Sequence, residues 1–170
     1  MKIKKSSQAG ILALLGLLAT FLILQGRESY VISLMAQGQT NISIPLGLED
    51  HFDISFRHSV NKGLVTERYQ IDKEAKTIYL KTGWFENYGA GMMDTVEEGM
   101  VMTEEGDRLR IDFPRQDTKS VTYRSGGIAG HQLIYENQKI YLFEHWPYES
   151  VTISIERKHF SNIFLKDKEA

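Results

Sequence analysis

The chain has 170 residues, 42% of them apolar and 25% charged, with a formal net charge of −2 and a pI near 6.2. That balance excludes a generally basic nucleic-acid binder, whose domain pI usually exceeds ~9 with Lys and Arg gathered on one face. The absence of cysteine excludes a disulfide framework, a thiolate zinc site, a cysteine nucleophile and a lipidated-cysteine anchor.

The average composition hides two parts. Lys2, Lys4 and Lys5 precede Ser6 to Gly26, a run of 21 residues without charge, and 13 of the 16 residues from Ala9 to Leu24 are apolar. A stretch of ~20 mostly apolar residues is long enough to cross a hydrocarbon core ~30 Å thick. Residues 1–26 are therefore expected to form a single transmembrane anchor, with the lysines holding the N-terminus in the cytoplasm. The alternative is a cleaved signal peptide, which would make the protein secreted. A cut after Ala36 or Gly26 leaves Leu34 or Leu24 at the −3 position, and neither is small. Both readings carry residues 27–170 outside the cytoplasmic membrane. That part has 144 residues, 17 basic and 22 acidic, and a net charge of −5. Its size suits one domain with a real core.

Period-2 alternation dominates this second part and predicts strands. Tyr30 to Met35 is β-branched and apolar, directly after the anchor. Asn41 to Ile44 alternates until Pro45 ends it. Phe52 to His58 places Phe52, Ile54, Phe56 and His58 on one face. Val65 to Ile71 places Val65, Glu67, Tyr69 and Ile71 together. Asp72 to Lys76 reads as a hairpin connection to Thr77–Lys81. Strands follow at Leu109–Phe113, Ser120–Arg124, Gln132–Tyr135, Lys139–Phe143 and Val151–Ile155, with a short turn at Asn137-Gln138. Phe160 to Lys168 reads as a short terminal helix or a frayed end. The sum is an all-β domain, an antiparallel sandwich or small barrel.

The chemistry-bearing residues gather around strand ends. His58 and Ser59 end one expected strand, and Glu67 lies on the next. A carboxylate beside an imidazole raises its pKa and fixes its tautomer, so His58 is a candidate base or ligand donor. A structural pair closing the hairpin is the plainer reading. Gly89-Ala90-Gly91 could aim backbone N–H groups at an anion. Arg124, Ser125, Gly126, Gly127 and Gly130 form a second glycine-rich loop that ends at His131. Tight turns between strands are the plainer reading of both loops. A candidate binding site for a small anionic solute therefore comprises His58, Ser59, Glu67, Gly89, Gly91 and Arg124.

Enzyme readings find less support. Ser59 and His58 are adjacent on a strand and point to opposite faces, which leaves a Ser–His hydrolase dyad needing His131 instead. A zinc site from His58, Glu67 and His131 or His145 has suitable ligand types but no tight ligand spacing. No cofactor or metal is expected. The acidic stretch Met92 to Gly106 lacks the EF-hand spacing and reads as a solvated loop whose methionines pack back on the sheet. The aromatic run Phe143 to Tyr148 suits either a membrane interface or the cap of a sandwich.

The order Phe56-Arg57-His58-Ser59-Val60, then Glu67, then Asn87-Tyr88-Gly89-Ala90-Gly91-Met92, resembles the bacterial family of the domain of unknown function 1850. The resemblance covers about Phe52 to Met93, and Met93 stands where many members carry proline. Such proteins are small and often encoded beside the permeases of TAXI-type TRAP transporters. The resemblance implies an extracytoplasmic accessory to solute uptake, and the expected role is a non-enzymatic one, binding a small solute or partnered by a permease in the cell membrane. It supplies no catalytic residues.

Overall fold

The computed structural model describes residues 10, 13–17, 28–36, 42–89, 92 and 97–159. The expected anchor lies largely outside them, as does the expected helix after Phe160. Among the described residues no helix is long and apolar enough to cross a membrane.

Among the described residues, eleven strands build two antiparallel sheets. The smaller sheet has the order β2-β1-β11-β8, formed by β1 (Glu28–Met35), β2 (Ile42–Pro45), β8 (Ser120–Arg124) and β11 (Ser150–His159). The larger has the order β10-β9-β3-β4-β5-β7-β6. Its strands are β3 (His51–Arg57), β4 (Leu64–Asp72), β5 (Thr77–Glu86), β6 (Val101–Glu105), β7 (Arg108–Asp112), β9 (Gln132–Tyr135) and β10 (Gln138–Tyr141). The expected sandwich is therefore present, and three local readings need correction. β5 runs to Glu86 because a bulge between Arg68 and Tyr69 of the β4–β5 ladder shifts the alternation and hides its second half. Val101–Glu105 is a strand, where a loop was expected, since Gly106-Asp107 turns it back onto β7. Leu142–His145 is a single helical turn and does not continue β10.

The core forms where alternating apolar positions of the two sheets meet. Phe52 and Ile54 of β3 are fully buried, as are Ile32 and Leu34 of β1 and Ile153 of β11. Phe52 stacks on Tyr69 with centroids 5.4 Å apart. The helical turn delivers Trp146 into one end of this core, 1% exposed, and the buried Ser125 hydroxyl donates to its carbonyl. The aromatic run thus caps the sandwich with its tryptophan, while Tyr148 stays exposed.

On the other face of the large sheet, Arg68 donates twice to Asp53, at 2.8 and 2.9 Å, directly across the β3–β4 ladder. A bidentate cross-strand pair fixes register as well as adding energy. That register keeps Glu67, Tyr69 and Ile71 on the core side.

The two sheets differ in width, and the difference positions the site. Tyr123 of β8 reaches Glu67 and Tyr69 on β4, and Thr118 bridges to Ile78 of β5. The small sheet ends at β8, above β4 and β5. The large sheet continues through β7 and β6.

Candidate functional site

The β3–β4 connection, residues 58–63, organises the site. The His58 N–H donates to the Gly63 carbonyl at 2.9 Å, and the Lys62 N–H to the His58 carbonyl at 3.2 Å. Lys62 sits at φ 61°, in the left-handed region. Gly63 is demanded by crowding: a Cβ there would lie 2.0 Å from the Glu86 carbonyl oxygen. The Leu64 N–H donates to the Glu86 carboxylate at 3.1 Å. The Asn61 amide donates to the Asn87 carbonyl at 2.8 Å and meets the Met92 sulfur at 3.5 Å. The hairpin loop is therefore laced to the segment that follows β5. That segment includes Gly89, which is exposed and whose carbonyl accepts the Met92 N–H at 3.0 Å. Gly91 lies outside the described residues.

Two clefts meet at His58. The first is a groove of about 760 Å³ between the hairpin loop and the Gly126–Gly130 turn, with Phe143 and Tyr148 as its aromatic wall. The Arg57 N–H donates to the Ala129 carbonyl at 2.8 Å, which ties the two loops together. Arg57, His58, Ser59 and Lys62 border the groove. The Arg57 guanidinium donates to the Lys62 carbonyl and the Lys62 ammonium to the Ser59 carbonyl. Among the described residues neither cation forms an ion pair with a carboxylate. The groove is thus apolar-walled with uncompensated positive charge at its edge.

The second cleft, of about 350 Å³, lies on the large sheet and is lined by Phe56, His58, Val65, Glu67, Leu80, Phe85, Tyr88, Met92 and Phe113. Glu67 is its acid. The Glu67 Oε2 atom accepts the Tyr123 hydroxyl and, at 3.4 Å, the Tyr69 hydroxyl; the two hydroxyls lie 2.7 Å apart. Burial holds the Glu67 carboxyl above its ordinary pKa, and the tyrosine hydrogen bonds oppose that shift. Burial and the nearby carboxylate push both tyrosines upward, so they remain protonated donors. Opposite Glu67 in the β4–β5 ladder stands Gly83, where a Cβ would lie 2.7 Å from the Phe85 ring. Glycine there lets the Phe85 ring fold down beside the carboxylate.

His131 closes the arrangement from the side. Its ring stacks on Phe56 at 4.8 Å and tilts against Tyr123 at 5.6 Å. Its Nδ1 is buried without a hydrogen-bond partner among the described residues, and burial lowers its pKa, which favours the neutral ring.

The expected site residues divide between these clefts. His58 borders both, Ser59 borders the groove, and Glu67 lines the smaller cleft. His58 and Glu67 do not form the expected pair. Glu67 stands opposite Ile54 in the ladder, four residues from Gly63, or ~13 Å along a strand. The Glu67 partners are tyrosines, and His58 Nδ1 accepts the Val60 N–H at 3.4 Å. Arg124 is exposed opposite Ser150 and lines neither cleft. Its expected place beside the Gly126-Gly127 loop is taken by Arg57 and Lys62. These two, with Tyr69 and Tyr123, are the residues sequence reasoning passed over. The available signal was two basic residues flanking His58 at a hairpin end. Among the described residues, no group of three His, Asp or Glu side chains is placed to hold a metal.

The comparisons with known proteins add a family. No curated protein and no solved structure matches the chain. The sequence model of the family described as "Domain of unknown function (DUF1850)" matches residues 52–142. That match runs from β3, through the hairpin loop, the smaller cleft and the Gly126–Gly130 turn, to the residue that follows β10; it leaves out the groove's aromatic wall, Phe143 and Tyr148, and covers more than half of the chain. The chain belongs to the DUF1850 family.

Proposed function

We propose that this protein is a membrane-tethered, extracytoplasmic binding module that serves a TRAP-type transporter, taking a small anionic solute in the groove beside His58. One observation carries the solute reading: Arg57 and Lys62 flank an apolar-walled groove of about 760 Å³ without a carboxylate partner among the described residues. Ligand sites are usually concave and mostly apolar, with a few polar groups fixing orientation, and volumes of ~300–1,000 Å³ are common. A carboxylate at the groove edge would take hydrogen bonds from the Lys62 ammonium and the His58 and Ser59 side chains, while its hydrocarbon part lay against Ile128, Phe143 and Tyr148. Tethering rests on the uncharged run Ser6 to Gly26, and the transporter association on the gene neighbourhood that the sequence resemblance implies.

The experiment is a thermal-shift titration of the purified full chain with short-chain carboxylates and with their amides. A concentration-dependent rise in Tm with hexanoate, absent with hexanamide, supports the anion reading. Equal shifts, or none at millimolar concentration, overturn it. Co-purification of a permease after detergent extraction tests the transporter association separately.

A further inference from the structure

We propose that the smaller cleft is a second binding site, specific for a small organic ammonium ion and centred on Glu67. Its chemistry is the opposite of the groove's, and it does not depend on the groove binding anything. Three observations carry it. Glu67 is the sole carboxyl side chain among the lining residues, and the rest are apolar or aromatic apart from His58 at the junction. Four aromatic side chains, Phe56, Phe85, Tyr88 and Phe113, line the space around it, with Phe85 and Tyr88 packed edge to face at 5.8 Å. Both tyrosine hydroxyls bind Oε2, and no described donor reaches Oε1.

The physics favours a cation over the other solutes of this size. A carboxylate in an apolar cleft has lost part of its hydration, and two neutral hydroxyls return only some of it. An ammonium N–H donating to Oε1 supplies both a charge-assisted hydrogen bond and the missing opposite charge. Aromatic rings attract such a cation through their quadrupoles, more strongly where water is excluded. A neutral alcohol offers a hydrogen bond without the charge. An anion meets the Glu67 field at short range and is repelled. The cavity, about 350 Å³, is at the small end of ligand pockets, so the ligand is a compact amine. Gly83 sets the aromatic wall next to the carboxylate, because a Cβ at that ladder position would lie 2.7 Å from the Phe85 ring and push it away.

Isothermal titration of the full chain at pH 8 tests this with three probes of one shape: benzylammonium, benzyl alcohol and phenylacetate. Benzylammonium is expected to bind at least about tenfold tighter than benzyl alcohol, with phenylacetate absent from this site and unable to displace it. In Glu67→Gln, which keeps both tyrosine partners, the preference for benzylammonium over benzyl alcohol falls to about threefold or less. Phe85→Leu weakens benzylammonium more than benzyl alcohol. Equal affinity of the cation and the alcohol for the unaltered chain overturns the proposal without recourse to any variant. So does an undiminished preference in folded Glu67→Gln, or no benzylammonium heat at ~10 mM, a concentration that would reveal even millimolar affinity.

Discussion

The groove and the cleft share His58 and are built by different means. The groove is made by two loops, and its charges stand on exposed residues, Arg57 at the end of β3 and Lys62 in the turn that follows. The cleft is built on three neighbouring strands, β3, β4 and β5, with Tyr88, Met92 and Phe113 completing its lining, and its acid is hydrogen-bonded by Tyr123 of the facing sheet. Loops set which charge is presented, while the sheet sets how far that charge is desolvated. Substitutions in the groove should therefore alter binding with little change in stability, and substitutions around the cleft should alter both. The hairpin loop, laced to the end of β5, is where the two behaviours meet.

The largest effect is expected at that joint. Gly63→Ala sets a methyl group 2.0 Å from the Glu86 carbonyl oxygen, a backbone atom that cannot rotate away. Overpacking of this kind costs ~1–3 kcal/mol, and backbone resistance puts this case at the upper end. The shift should fall on both clefts, since Leu64 and Asn61 would move away from Glu86 and Asn87. Urea unfolding of the variant should show a lower midpoint with an unchanged slope; an unchanged midpoint would show that the joint is soft. Next comes Tyr123→Phe, which removes the closer hydroxyl from Glu67 and leaves Tyr69 at 3.4 Å. A buried acceptor that loses its donor costs ~1–3 kcal/mol. This loss should be confined to the cleft, leaving carboxylate binding in the groove unchanged, and the same unfolding experiment with a hexanoate titration measures both.

That contrast also marks what the sequence could tell. The face shared by Val65, Glu67, Tyr69 and Ile71 was readable from alternation alone, because one face of a core strand must be apolar and an acid on it is conspicuous. The partner of that acid was not. Proximity to the hairpin loop suggested His58, but the ladder register separates the two, and the hydroxyl that binds Glu67 comes from Tyr123, 56 residues along the chain on the other sheet. Sheet-to-sheet contacts have no signature within one strand's pattern. The same limit explains Arg124, whose neighbour Ser125 turns into the core while Arg124 remains outside, and β6, whose Val101–Glu105 is too polar to announce burial. Gly83 was invisible for a further reason: the bulge beside Tyr69 breaks the count that would have placed it opposite Glu67.

A pH series sharpens the comparison from the cleft side. The Glu67 carboxyl has a raised pKa in the folded chain, so the fold holds its proton more tightly than the unfolded chain does. Its contribution to stability is fully present below the ordinary carboxylate pKa of 4.5 and is lost as pH rises through the raised folded value. Glu67→Gln carries no such proton. The variant should match the unaltered chain in Tm near pH 4 and gain on it as pH rises toward neutrality. A Tm difference that is flat across that range would show that the tyrosines stabilise the carboxylate as well as water does.

The smallest effect on stability is expected in the groove, and there it is the most informative. Lys62 is exposed, its ammonium touches a backbone carbonyl of its own loop, and it pairs with no carboxylate among the described residues. Lys62→Gln keeps a donor on a side chain one atom shorter while removing the charge, so stability should stay within ~0.5 kcal/mol. The left-handed backbone at this position is as open to Gln as to Lys, which adds no strain difference. Any loss of affinity for hexanoate then reports the charge itself. Because the edge of the groove is solvated, salt should weaken binding to the unaltered chain, and the variant should show a shallower salt dependence. Titrations at ~50 and ~200 mM salt, which bracket the range over which surface charges become screened, separate the outcomes. A variant that binds hexanoate as tightly as the unaltered chain, with the same salt slope, would assign the anion to Arg57 or remove it from the groove.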